Sequence, residues 1–355
     1  MAVGPGFVRL IGFATDPDLE FRSMRAVLFA ASLLAAGAAQ AEGYALFNQS
    51  SLARAAALPA LNAAPVLAVG ESQAQVALDW SSEYYEAQSG TESLSLDAET
   101  QRYALRYRRG FGGSVVSVNG WEWGVELPLV SSGGGSLDSL IENWHDTFGL
   151  PNGGRENAPR DRYLIRYQRD GQTLLNLSEG ESGLGDVRLS LAAALGERWV
   201  LRALLQLPTG DADRLSGGHA GGALWADYSL GLGETERFRL SLSGGLSASA
   251  TGGPLGELQQ PLVALAGASF SGLLWPSLLG ATEAVLQLDA HSALYQDSTL
   301  EPLGDDSLQL AFGLRLPTAL GRLELAIQED LAVYTAPDFT PVSYTHLTLP
   351  TKRIV

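Results

Sequence analysis

The sequence predicts an all-β protein: an antiparallel transmembrane β-barrel of about 12 to 14 strands, with a short helical, plug-like insertion and its final strand missing. Three observations predict it. Apolar residues recur at every second position through most of the chain, as in Trp121, Trp123, Val125, Leu127 and Leu129, the period of a strand with one apolar face. The alternate positions carry charge, which suits a wall between lipid and a wet lumen. Hydrophobic residues make up 46% of the chain, yet beyond the leader no uncharged apolar run reaches the roughly 18 residues of a helical span. A wall of strands in lipid must close, because an open edge would strand N–H and C=O groups in hydrocarbon.

The elements follow in chain order. Met24 and Arg25 open a secretory leader, with an apolar stretch from Ala26 to Ala36 and then Ala39-Gln40-Ala41, the pattern of a signal peptide. Residues 24–41 are therefore the expected signal, Glu42 the mature start, and residues 1–23 a start placed too early. Such a leader implies export through the inner membrane to the outer membrane. Residues 42–71 form an N-terminal lumenal or periplasmic segment, and residues 72–341 the barrel.

About thirteen strands alternate along the barrel. The clearest are Ala74, Val76, Leu78 and Trp80; Tyr103, Leu105 and Tyr107; the Trp121 run; Tyr163, Ile165 and Tyr167; Val187, Leu189, Leu191 and Ala193; Trp199, Leu201, Ala203, Leu205 and Leu207; Phe238, Leu240 and Leu242; Ala284, Leu286, Leu288 and Ala290; Leu308, Leu310, Phe312, Leu314 and Leu316; and Leu323, Leu325 and Ile327. The rhythm breaks over residues 136–160. Ser136 precedes Leu137, Leu140, Ile141, Trp144 and Phe148 at helical spacing, and Gly149, Pro151 and Gly153-Gly154 stop the run, which predicts a helix followed by a structured loop.

The C-terminal stretch "VSYTHLTLPTKRIV", residues 342–355, holds the only lysine, Lys352. It is similar to the translated transposon-end adapter of short-read sequencing libraries and reads as an appended segment. An odd strand count then implies a lost closing strand and an unpaired seam between the first and last strands, since bacterial barrels favour even numbers.

Net charge is -16, which argues against nucleic acid as a partner because no basic surface would offset phosphate repulsion. The chain has no cysteine, so disulfides and thiolate metal sites are excluded. The expected partners are outer-membrane lipid, the barrel-assembly machinery during biogenesis and a small-molecule solute. Neither a cofactor nor a metal is expected.

Four stretches carry a resemblance: "FNQSSLARAAALPAL" near the start, the Trp144-His145 to Arg155 region, "LPTGDADRLSGG" at 207–218 and "IQEDLAVYTAPDF" at 327–339. Together they resemble an uncharacterised family of Gram-negative outer-membrane proteins known as a domain of unknown function, the three-one-eight-seven family. The resemblance spans most of Glu42 to Pro341, implies an outer-membrane barrel and supplies no activity. The "GLGD" at 183–186 followed by "LPTGD" also resembles barrels linked to uptake of aromatic compounds.

The candidate lumen-lining residues are Arg102, Arg106, Glu122, Glu126, Arg162, Arg166, Asp289, His291 and Glu324. They would either fill the barrel as cross-strand ion pairs or line a charge-selective constriction. About thirteen or fourteen strands enclose more space than side chains fill, so residues 42–65 and 136–160 are expected to fold inward as a plug, with Trp144, His145, Asp146 and Arg155 as its landmarks. His145 sits beside Asn143 and Asp146, but no serine lies two residues from it, which leaves catalysis without a nucleophile at strand spacing. A passive channel or facilitator for small, apolar or aromatic solutes is the leading expectation. A non-conducting structural or ligand-binding barrel is the alternative, with an outer-membrane hydrolase behind it; no enzyme activity is expected.

Overall fold

The computed structural model describes residues 42–349 except 113–117, 150–154, 156–157, 234–236, 275–281, 319–320, 332–335 and 338. The expected signal peptide, residues 350–355 of the tail, the side chain of Phe148, and the Pro151 and Gly153-Gly154 stop signals lie outside the described residues.

Fifteen strands are described: β1 Ser72–Ser89, β2 Glu92–Phe111, β3 Val118–Gly133, β4 Leu164–Arg169, β5 Gln172–Leu177, β6 Glu181–Leu184, β7 Val187–Leu195, β8 Trp199–Leu207, β9 Gly221–Leu232, β10 Phe238–Ser249, β11 Leu262–Leu273, β12 Glu283–His291, β13 Ser307–Thr318, β14 Gly321–Asp330 and β15 Thr340–Leu349. Twelve of them close a ring: β1, β2, β3 and then β7 to β15, which returns to β1, with every pairing antiparallel. The remaining three are short additions at one end. Strand β4 pairs with Glu92–Asp97 of β2, β5 with β4, and β6 with Leu129–Ser132 of β3.

The expected seam is absent, because β15 stands between β14 and β1. Ser72–Asp79 pairs with Val342–Leu349, and Arg322–Gln328 pairs with Thr340–His346. Val342, Tyr344 and His346 turn inward and are buried. A stretch with three Thr, a Val and a Tyr fits a pleated sheet, and β1 and β14 would otherwise each present an open edge.

The connections alternate in length. Strands β7 and β8 are joined by residues 196–198, whereas β8–β9, β10–β11 and β12–β13 are joined by residues 208–220, 250–261 and 292–306. One rim therefore carries short turns and the other long loops. Around the ring Tyr103, Leu105, Trp123, Leu127, Leu189, Leu191, Trp199, Leu201, Leu205, Leu224, Leu242, Leu246, Phe270, Leu286, Leu314 and Leu325 are exposed, an apolar outer belt that lipid would cover.

Along β2 the apolar face switches sides. Tyr103 and Leu105 point outward, but Leu94, Leu96 and Ala98 are buried on the inner side. The switch marks where the β1–β2 hairpin passes the long-loop rim and becomes the wall of an apolar dome. Ile165 and Tyr167 of β4, Leu175 of β5, Leu255 and Leu258 from the β10–β11 loop, and Tyr295, Leu300 and Leu303 from the β12–β13 loop complete that dome.

Candidate functional site

The lumen is occupied by the chain's own N-terminal segment. Glu42 and Gly43 lie at the short-turn rim, where Arg322 reaches the Glu42 carboxylate at 2.9 Å and Arg315 donates to the Gly43 carbonyl at 2.7 Å. The chain climbs to a 3-10 turn, Ser51–Ala55, at the dome. It then descends to Leu67, whose N–H donates to Glu122 at 2.9 Å, and to Gly70, whose N–H donates to the Gly110 carbonyl near the foot of β2. Most of residues 42–65 are buried. The segment thus runs up and back within the barrel.

Its fastening follows from what it lacks. Residues 42–70 carry only two charged side chains, Glu42 and Arg54, and form no ladder with the wall, so their backbone groups need side-chain partners. The wall supplies them. Arg108, Arg188 and Arg202 donate to the carbonyls of Pro65, Leu58 and Ala64. Glu83 accepts from the Ser50 hydroxyl at 2.9 Å and from the Ser51 N–H at 3.0 Å. Gln287 bonds both the N–H and the carbonyl of Tyr44, and Ser249 and Ser247 bond the N–H and carbonyl of Ala57. Near the dome Tyr295 donates to the Leu52 carbonyl at 2.7 Å, and burial pushes its hydroxyl pKa upward. Gly267 makes room at the wall, since a Cβ there would stand 2.9 Å from that of Leu61.

Of the residues singled out in the sequence, Arg102, Arg106, Glu122, Glu126, Asp289, His291 and Glu324 lie on the inner face and are largely buried. Arg102 bridges Asp79, at 3.0 Å, and Glu126; Arg106 also pairs with Glu126. Glu122 pairs with Arg108 at 2.7 Å, and Glu324 with Arg315 at 3.0 Å and Arg322 at 2.8 Å. Asp289 accepts from Gln287 at 2.7 Å, and His291 meets Asn48.

Arg162 and Arg166 are placed elsewhere. Arg162 pairs with Asp97 and Glu86 on the outer face of the β1–β2 hairpin, and Arg166 bonds Asn176 on the exposed side of β4. Neither lines the lumen, because in β4 it is the apolar side, Ile165 and Tyr167, that faces inward to the dome.

The insertion also differs from expectation. Its helix, α1 Asp138–Phe148, lies against the outer face of the β1–β2 hairpin instead of folding inward: Leu137 and Ile141 pack with Phe339, Trp80, Trp144 and Ile327. Leu137, not Ser136, occupies the N-cap, and it has no side-chain cap of its own. Glu99 of β2 substitutes, accepting from the N–H groups of Ser136 and Leu137, a carboxylate placed at the positive end of the helix. Gly149, at φ 71°, ends it. Trp144 sits 5.9 Å from Phe339, His145 is buried, Asp146 is exposed, and Arg155 reaches Asp138 at 2.7 Å and Ser82 at 3.0 Å.

Arg188, Arg202, Asp227, Asp79 and Glu83 escaped the sequence reading as site residues, although strand parity places the first three opposite Leu189, Leu201 and Leu224. Among the described residues no group of three or more His, Asp or Glu side chains is placed to hold a metal.

The description "Protein of unknown function (DUF3187)" belongs to a family model that matches residues 23–348. The chain belongs to that family. Its fold is that of outer-membrane β-barrels. The COG4313 outer membrane channel from Pseudomonas putida F1 is similar at 15% identity and TM-score 0.50, over 80% of this chain and 97% of that one. A FadL homologue from Pseudomonas aeruginosa is similar at 9% identity and TM-score 0.39, over 86% of this chain and 97% of that one. The CymD monoaromatic hydrocarbon channel matches at 10% identity and TM-score 0.39, over 86% and 93% of the two chains. No curated protein matches the chain in sequence.

Proposed function

We propose that this DUF3187 protein is an outer-membrane channel for small solutes with an apolar body, and that the N-terminal segment is its constriction. The observation that carries the reading is the lumenal segment itself. It is weakly charged, lacks ladder pairing with the wall, and is held by individual side-chain hydrogen bonds that can exchange for water one at a time. The apolar dome favours the solute class. Leu94, Leu96, Tyr167, Leu255 and Leu303 pack together there, and a path opened between such side chains would admit apolar bodies more readily than hydrated ions, which a hydrophobic constriction excludes by dewetting.

By the usual asymmetry of outer-membrane barrels, short turns face the periplasm and long loops the exterior. The dome is then the outer entrance and the Glu42–Arg322 contact the inner exit. The same occupied lumen also favours a silent, structural barrel, and uptake separates the two. Porin-depleted Gram-negative cells that make this protein should take up radiolabelled benzyl alcohol several-fold faster than cells without it, with glucose uptake unchanged. Equal uptake of benzyl alcohol in both would leave the silent barrel.

A further inference from the structure

Between the lumenal segment and the β2–β3–β7–β8–β9 wall lies a cavity of about 130 Å³. Its volume is close to the roughly 150 Å³ of an engineered apolar cavity that takes up benzene, so one small ring or a branched chain of similar bulk fits. Phe47, Pro59, Leu204 and Trp225 give it apolar walls. Trp225 has its place because Gly245 lies across the β9–β10 ladder, where a Cβ would come within 2.4 Å of that of Trp225.

Two polar features set this cavity apart from a packing defect. The Trp225 indole N–H is buried and has no hydrogen-bond acceptor among the described residues, although buried donors in proteins are nearly always paired. Arg188 is the least matched of the four guanidiniums on the same lining, where Arg106, Arg108 and Arg202 each hold a close carboxylate. Its nearest carboxylate, Glu126, stands 3.9 Å away and already serves Arg102 and Arg106 at shorter range. Arg188 donates to the Leu58 carbonyl at 3.0 Å, and its guanidinium lies 4.1 Å from the Phe47 ring centroid. An indole donor without an acceptor and a guanidinium short of a carboxylate thus share one cavity with an aromatic ring.

We infer that this cavity is a binding site for a small monocarboxylate with a compact apolar or aromatic body. Its carboxylate takes the Trp225 N–H and Arg188, and its body lies against Phe47 and Leu204. The inference rests on the channel reading, because it names the solute class for which the lumenal segment would form a waystation.

The test uses the refolded full chain in detergent, with benzoate as the probe in titration calorimetry and benzamide as its uncharged isostere. Benzoate should bind saturably at one site, and benzamide at least about tenfold more weakly, because charge-assisted hydrogen bonds are the stronger class. Trp225→Phe keeps the ring but removes the donor, and should weaken benzoate about tenfold. Arg188→Gln should weaken it further and erase the preference over benzamide. Unchanged heat-modifiable migration confirms that each variant folds. No saturable benzoate binding, equal binding of benzamide, or unaltered affinity in both folded variants would overturn the inference. Uptake of benzyl alcohol without benzoate binding would sink this site alone, whereas benzoate binding without any uptake would sink the channel.

Discussion

The side-chain amide of Asn48 meets Nε2 of His291 at 2.9 Å, joining positions 243 residues apart inside the barrel. The other ring nitrogen, Nδ1, faces the Ser292 carbonyl at 2.9 Å, so Nδ1 carries the proton and Nε2 accepts from the amide. The contact pins the rising limb of the lumenal segment to β12. His291→Ala should cost about 1 to 3 kcal/mol of local stability there, the range for a buried hydrogen bond left half-made. Faster amide exchange at residues 44–50, with the barrel strands unchanged, is the expected readout.

Glu126 serves Arg102, Arg106 and, at longer range, Arg188. Glu126→Ala leaves three guanidiniums short of their shared carboxylate in a buried setting, and should destabilise the folded barrel by about 3 to 5 kcal/mol. Folded fraction against urea in detergent measures it. Glu142→Ala, whose partner Arg160 is exposed on the insertion, should change stability by less than about 1 kcal/mol.

The insertion is expected inside the lumen from the sequence but packs outside it, and this bears on conductance. Because α1 packs on Trp80 and Ile327 outside the lumen, deleting residues 136–157 should leave single-channel conductance unchanged while lowering thermal stability. A raised conductance would place the helix in the pore after all.

Acid should loosen the dome. Burial works to raise the Glu92 carboxyl, but hydrogen bonds from Tyr167, from the Thr299 N–H at 3.0 Å and from Ser298 at 3.3 Å outweigh it, so the group sits below the usual carboxylate range. A carboxyl lowered in the folded state contributes its stability above its unfolded pKa and loses it as pH falls through the lowered value. Proteolysis of the 292–306 loop should therefore accelerate below about pH 4.5, and Glu92→Gln should make cleavage at pH 7 resemble cleavage of the acidified parent.

Much of this architecture was legible because a lipid-facing wall imposes period two. Trp121, Trp123 and Leu127 against Glu122 and Glu126 gave both the strand and its inner face. The same rule misplaced Arg162 and Arg166. A strand of the dome alternates like a strand of the wall, but its apolar side points in. The switch of apolar parity between Leu94-Leu96 and Tyr103-Leu105 on β2 was the available clue that the chain had passed the rim. The lumenal fastening was harder to read. Arg202 and Asp227 stand on neighbouring strands, while the Leu58 and Ala64 carbonyls that Arg188 and Arg202 bind leave no mark in a sequence. The adapter-like tail and an odd strand count point to an unpaired seam, but three short strands lie outside the ring and Thr340–Leu349 fills the remaining edge.

The most direct test of the lumenal segment as the constriction is single-channel conductance in a planar bilayer. The full chain is compared with a variant lacking residues 44–66, each first confirmed as a heat-modifiable folded barrel. Small or silent steps are expected from the full chain, and large, stable steps from the variant. Equal conductance from the two folded barrels would contradict it.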